Sequence, residues 1–204
     1  MRYDPAQHHW RPLTVGAVTS LLGGSSTRWW LSGGCGLDHW LGRATREHGD
    51  IDISVLRADW RRLVAELPAG LEPLAAMSGA LLPLAACVDD PALHNLWVRS
   101  ADTGAFVLQI NIEEGDRELW RYRRCPEITR PWAQAVSEVG RVPTVNPAVQ
   151  LLWKSVRPVG KDHQDRAAIL PVLNSADRQW LTEAVQLAHP HSPWLEEGRS
   201  CAAV

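Results

Sequence analysis

The chain has 204 residues and a mass of 22.7 kDa, enough for one large domain or a medium domain with an appendage. Hydrophobic residues make up 45% and charged residues 22%, ample apolar surface to offset chain entropy, which excludes a disordered or fibrous protein. Lys+Arg 21 against Asp+Glu 23 leaves a formal charge of -2, so the chain lacks the basic field of a nucleic-acid binder, and the phosphate partner it points to is a small molecule.

In chain order, Thr14 to Leu22 (TVGAVTSLL) has helical apolar spacing and runs into the breaker Gly23-Gly24-Ser25-Ser26. Arg28 to Leu31 predicts a short strand ended by Ser32-Gly33-Gly34, and Leu37 to Leu41 a short helix. Asp50 to Leu56 (DIDISVL) alternates polar and apolar residues and predicts a half-buried strand. Ala58 to Leu67 is amphipathic, with Trp60, Leu63, Val64 and Leu67 at helical spacing. Pro68 to Pro91 is Pro- and Ala-rich and shows no single period. Leu93 to Val98 and Phe106 to Ile112 (FVLQINI) predict further strands. From Asn146 the pattern turns helical, over Pro147 to Val156, Lys161 to Leu173 and Ala176 to Ala188, with Asn146-Pro147 and Ser175 as N-cap positions. Pro190 to Val204 reads as a loosely held tail. Strands alternating with helices point to an α/β or α+β core. A composition shift near Arg141 divides the chain into a core, 1–142, and a helical region with the tail, 143–204.

No apolar run approaches the roughly 20 residues that span a bilayer, and Met1 to Arg11 lacks the apolar centre of a signal peptide. Cys35, Cys87, Cys125 and Cys201 are scattered and form no CxxC pair, which argues against zinc and against a disulfide framework. A reducing cytoplasm is the expected location, with no membrane partner. The 11 Trp stand against 2 Tyr and 1 Phe, so Trp is expected to fill core and surface roles usually shared by all three, with a few tryptophans left to line a ligand cleft.

Chemistry concentrates in Ser32 to Ile53 (SGGCGLDHWLGRATREHGDIDI). Asp50 and Asp52 lie two apart on the predicted strand, so both carboxylates project from one face while Ile51 and Ile53 face the other. Like charges side by side repel unless they share a cation, and hard divalent cations such as Mg²⁺ take carboxylate oxygens together with substrate phosphates. Upstream, a strand followed by Ser32-Gly33-Gly34 at a helix start exposes backbone N–H groups suited to phosphate oxygens.

Gly33-Gly34, Leu37-Asp38, Leu41-Gly42-Arg43, Thr45-Arg46, His48 and Asp50-Ile51-Asp52 match the signature of the aminoglycoside nucleotidyltransferase-like family. The chain most resembles the 2″-adenylyltransferase branch of the polymerase-beta-type nucleotidyltransferase superfamily. The likeness continues in Arg123-Arg124, Ile128-Thr129-Arg130-Pro131, Asn146-Pro147 through Lys154 and Lys161-Asp162-x-x-Asp165. It implies an α+β nucleotidyltransferase-fold mixed sheet flanked by helices, followed by a C-terminal helical domain. It implies Mg²⁺ and ATP as co-substrate, with AMP moving to the hydroxyl of a small, aminoglycoside-like molecule and pyrophosphate leaving. By that likeness Ser32, Gly33 and Gly34 hold the triphosphate, Asp50 and Asp52 bind metal, and Lys154 and Lys161 reach phosphates; Arg43 and Arg46 are further phosphate candidates.

The superfamily's third carboxylate belongs on a neighbouring strand. The polar face of Val107 to Glu113 offers Gln109, Asn111 and Glu113, of which only the last can take a proton; either Glu113 fills the role from the strand end, or Glu114 does, or an amide holds the position and the base is missing. His48 is expected as a partner behind Asp50, or as a turn cap. Asp162 and Asp165 share a helix face and are expected to be solvated, to orient Lys161 or to attract a cationic acceptor. Two other functions fit the same fold: adenylation of a small carboxylic acid, which needs no base, and a non-catalytic nucleotidyltransferase-fold binding protein. An acidic acceptor cleft would favour an aminoglycoside, a basic or apolar one a carboxylate.

Overall fold

The computed structural model describes residues 9–197. Helix α1 (Val15–Leu22) starts where the Thr14 hydroxyl accepts the Ala17 backbone N–H at 3.1 Å. Strand β1 (Trp29–Ser32) follows, then helix α2 (Gly33–Leu41), strand β2 (Asp52–Leu56) and helix α3 (Trp60–Ala65). The stretch without a sequence period folds as the hairpin β3 (Leu71–Met77) and β4 (Ala80–Pro83). Its turn is Ser78-Gly79, both at positive φ, the conformation that matches the twist of two paired strands. Strands β5 (Asn95–Ser100), β6 (Phe106–Gly115), β7 (Leu119–Arg121) and β8 (Thr129–Pro131) come next, then the short helix α4 (Trp132–Ala135) and the hairpin β9 (Val136–Val139) and β10 (Val142–Val145). Helices α5 (Pro147–Lys154), α6 (Gly160–Ile169), α7 (Ser175–Ala188) and α8 (Trp194–Glu197) complete the order.

The main sheet runs β4-β3-β5-β6-β2-β1-β10-β9, and β7 and β8 continue from the end of β6. It is mixed: β2 with β6 and β1 with β10 are parallel, the other pairs antiparallel. Apolar residues cover both of its faces. Leu31, Ile53, Val55, Leu108, Ile110 and Ile112 pack with Val18 of α1 and Trp60 and Leu63 of α3. On the opposite side Trp30, Leu56, Trp120 and Tyr122 pack with Leu151 and Leu152 of α5 and Leu181 of α7. The α+β class and the mixed sheet with flanking helices agree with the sequence expectation, and no described helix is long and apolar enough to cross a membrane.

Three expectations change. Strand β2 is buried along its whole length rather than half-buried, because helices cover both faces of the sheet. Between Glu113 and Arg141, where the sequence reading names no element, the chain forms the short strands β7 to β9, each paired with a neighbour along the chain: β7 with the end of β6, β8 with β7 and β9 with β10. Residues 190–197 are held rather than loose. Trp194 is 5% exposed and its ring sits 6.1 Å from that of His163; the rest of the expected tail and Cys201 lie outside the described residues. The sheet ends at Val145, since β10 pairs with β1 through Leu31 and Thr144, and helices alone follow.

Candidate active site

Strand registers line up two rows of side chains on the face of the sheet that carries Trp30 and Leu56. Ser32, Asp52, Gln109 and Trp97 lie opposite one another across β1, β2, β6 and β5. The next row is Trp30, Ser54, Asn111 and Asn95. The period of two sends Leu108, Ile110 and Ile112 into the core, at 0%, 0% and 2% exposure. Asn111 Nδ2 donates to Asp52 Oδ1 at 3.1 Å, and Asn111 Oδ1 accepts from Asn95 at 2.7 Å and Gln109 at 3.2 Å. These amides join β5 and β6 to the aspartate.

Gly33 opens α2 at φ +67, and a Cβ there would overlap the Asp52 carboxylate. Glycine is required twice over, for the backbone angle and for the close approach. Its N–H donates to Gln150 Oε1 of α5 at 2.8 Å, so one donor of the expected phosphate cradle is held by a side chain 117 residues away. Asp50 stands in the loop just before β2 rather than on the strand. That loop is folded by Asp38 of α2, whose carboxylate accepts the Thr45 backbone N–H at 3.1 Å, the Thr45 hydroxyl at 2.5 Å and His48 Nε2 at 2.6 Å. These bonds hold the Asp38 carboxyl below the usual carboxylate range despite its desolvation. The loop returns over the start of α2, where a Cβ on Gly34 would strike the tips of Arg46 and His48. His48 thus fastens the turn behind Asp50.

Strand β6 runs to Gly115, so Glu113 sits within the strand, on the face of Asp52 and Ser54. It is 4% exposed. Trp120 Nε1 donates to Oε2 at 2.5 Å, and Ser54 Oγ lies 2.9 Å from Oε1 and 2.9 Å from Ser32 Oγ. A hydroxyl has one proton, so Ser54 donates to the carboxylate and accepts from Ser32. Burial pushes the Glu113 carboxyl up, against the pull of these donors.

A cavity of about 720 Å³ gathers these groups between the sheet and helices α5 and α6. Of the residues singled out in the sequence, Ser32, Gly33, Gly34, Arg46, Asp50, Asp52, Gln109, Asn111, Glu113, Lys154 and Lys161 line it. Arg43 does not. It is exposed just past Gly42, whose left-handed φ of 69 ends α2 and turns the chain outward. Glu114 also lies outside the lining, paired with Arg57 at 2.5 Å, because adjacent strand residues face opposite ways.

Asp162 and Asp165 are 8% and 2% exposed rather than solvated. Lys154 Nζ lies 2.9 Å from each, and Arg46 Nε lies 2.8 Å from Asp165. Arg46 and Lys154 therefore tie the Asp50 loop, α5 and α6 together. Sequence reasoning missed Ser54, His94, Asn95, Gln150, Trp153 and Arg157, all of which line the cavity. Alternation in DIDIS carried the signal for Ser54; the others need the tertiary fold.

The donor set fits a hard divalent cation. Asp52 is 8% exposed, and burial and the neighbouring Asp50 push its pKa up to about 6. Burial and the charges of Asp52, Asp50 and Asp38 push the Cys35 thiol to about 12. Excess negative charge at this turn is what a bound cation relieves. Among the described residues no three His, Cys, Asp or Glu side chains converge as a metal cluster. Two carboxylates with the remaining positions left to phosphate and water match Mg²⁺ rather than zinc.

A family model described as aminoglycoside-2″-adenylyltransferase matches residues 14–70. No curated relative matches the chain. Among solved structures, the lincomycin-bound crystal structure of the lincosamide antibiotic adenylyltransferase LnuA is 17% identical, with a TM-score of 0.53 over 87% of this chain and 99% of that one. The complex of ANT(2″)-Ia with adenylyl-2″-tobramycin is 16% identical, with a TM-score of 0.48 over 93% and 97%. The LnuA likeness supports the fold. The family match falls on residues 14–70, which carry the glycine turn and both aspartates.

Proposed function

We propose that the chain is an Mg²⁺-dependent adenylyltransferase that moves AMP from ATP to a hydroxyl of a small, antibiotic-like acceptor and releases pyrophosphate. One observation carries the reading: the Gly33 turn, Asp50, Asp52 and the buried Glu113 line one cavity, with Asp52 and Glu113 on one face of the sheet. Asp50 and Asp52 would hold Mg²⁺, which supplies neutralisation of charge on the transferring phosphate and orients it. Lys161 at the start of α6 would be the phosphate-facing cation of the cleft, with Arg46 and Lys154 lining the same cavity from their ion pairs with Asp162 and Asp165. ATP and Mg²⁺ are the co-substrate and metal of this reading, the oligomeric state plays no part in it, and a cytoplasmic location follows from the substrate rather than from the fold. We also place the functional division of the chain near residues 142–145, between the sheet and the helices.

The acceptor hydroxyl oxygen attacks the α-phosphorus as the bond to the β-phosphate oxygen breaks, and its proton passes to Glu113. Ser54 and Trp120 hold both carboxylate oxygens, so the base is positioned before the acceptor arrives. Its raised pKa brings it nearer the range where a base is effective at neutral pH. A carboxylic-acid acceptor is already ionised and would need no such base, so Glu113 favours the hydroxyl. The test is a pyrophosphate-release assay with Glu113→Gln. Loss of a general base should slow transfer by 10²–10⁴-fold with ATP binding nearly unchanged. Full activity in that variant would remove the base and favour a carboxylate acceptor.

A further inference from the structure

A second cavity of about 320 Å³ opens beside the first and shares Asn95 and Gln109 with it. The rest of its wall is Ala76, Met77, Gly79, Ala80, Leu81 and Trp97, from β3, β4 and β5. Sheet order places it on the far side of Asp52 from Gly33: Ser32, Asp52, Gln109 and Trp97 follow one another across the strands. With the triphosphate at Gly33 and Lys161, the acceptor side of the reacting phosphorus is therefore a row of neutral amides leading onto an apolar shelf.

Charge points the same way. The main cavity is lined by four arginines and two lysines against three aspartates and one glutamate. Every one of those carboxylates already has a partner or a task. Asp162 is held by Lys154, and Glu113 by Ser54 and Trp120; Asp50 and Asp52 are committed to the cation. Near Glu113 the wall is His94, Arg123 and Arg124. His94 Nδ1 accepts from Arg57 at 2.5 Å, and burial with the nearby guanidiniums lowers its pKa to about 4, so it is uncharged at neutral pH. Among the described residues lining this cavity an amine-rich acceptor would meet no carboxylate without a partner or a task, and burying unpaired ammonium groups is unfavourable.

We propose, on the adenylyltransfer reading above, that the acceptor is a hydroxyl compound without a cluster of amines. Asn95, Gln109 and Asn111 hold its polar part, and an apolar arm lies on the shelf of Met77, Ala80, Leu81 and Trp97. The proposal narrows the acceptor class away from polycations, although a match of residues 14–70 is to a family described by an aminoglycoside.

The test measures binding by calorimetry to the full chain loaded with Mg²⁺ and a non-hydrolysable ATP analogue. Tobramycin serves as the polycation probe and lincomycin as the uncrowded hydroxyl probe with an alkyl arm. Lincomycin should bind at least tenfold more tightly than tobramycin at low ionic strength. Ala80→Asp and Met77→Glu, at partly exposed positions of the shelf, should weaken lincomycin at least tenfold and tighten tobramycin, with the affinity for the ATP analogue unchanged. Tighter binding of tobramycin, binding of neither probe, or shelf variants that move neither affinity would overturn the proposal. Absence of Mg²⁺-dependent binding of the ATP analogue would instead overturn the adenylyltransfer reading, and the two probes would then be compared on the unloaded chain with the same criteria.

Discussion

Asp52 stores an unfavourable charge in the metal-free chain. Its pKa is raised from 3.8 to about 6, so the native state binds more protons than the unfolded chain between those values. Stability of the metal-free protein should therefore fall as pH rises from about 4 to about 6 and stay low above that. Asp52→Asn keeps the volume and the bond from Asn111 while deleting the charge. At pH 7 it should raise metal-free stability by on the order of 2–3 kcal/mol, a melting temperature higher by several degrees. The gain should vanish at pH 4, and Mg²⁺-dependent turnover should be lost. Thermal melts at both pH values with EDTA check this; an unchanged melting temperature at pH 7 would mean that Asp52 carries no stored repulsion. The same residue explains Gly33, because any side chain there would take the space of the carboxylate.

At the scale of elements, the segment between α2 and β2 is a loop with almost no apolar content, folded by one carboxylate. Asp38 accepts three bonds from Thr45 and His48 and so sets the path that delivers Asp50 to the cleft. Because its pKa is lowered, its support is present above the unfolded carboxylate pKa and is lost as pH falls below it. Asp38→Ala should leave the sheet intact. Amide exchange across residues 43–50 should speed by at least tenfold, and the Mg²⁺ concentration for half-maximal activity should rise several-fold. Exchange that is unchanged in that segment would show that the loop is held by other contacts. Asp38, Thr45 and His48 thus shape the loop that carries Asp50 to the cavity.

Across the whole molecule, the cavity exists because the helices after the sheet are clamped onto it by charge as well as by the apolar core. Lys154 bridges Asp162 and Asp165, and Arg46 reaches Asp165 from the Asp50 loop in a bidentate pair at 2.8 and 3.1 Å. A second clamp joins Arg130 of β8 to Asp177 of α7, with Asn146 and Asn174 on the same carboxylate. Removing one partner of a buried pair leaves an uncompensated charge, at a cost of about 3–5 kcal/mol. Asp165→Asn should lower the free energy of unfolding by about that amount in urea titrations. The loss should persist in about 1 M salt, because buried pairs are little screened. A loss under about 1 kcal/mol that disappears with salt would mark the pair as solvated.

What the sequence determined by itself was local. The glycine turn, the alternation around Ile51 and Ile53 and the parity of Gln109, Asn111 and Glu113 follow from backbone periodicity, which one segment carries alone. Those patterns were enough to bring Asp52, Glu113 and the glycines onto one face. The tertiary structure decided what depends on partners far along the chain. Gln150 occupies the Gly33 N–H, and Asp162 and Asp165 are buried in ion pairs although their helix reads as a solvated acidic face. Arg43 turns outward because a single left-handed glycine precedes it. Strand β10 joins the main sheet because its parallel partner is β1, more than a hundred residues away, which no local pattern encodes. Whether a charge in a motif meets substrate, metal or another side chain is set by which distant group arrives first at hydrogen-bond distance, and only the packed fold brings those groups together.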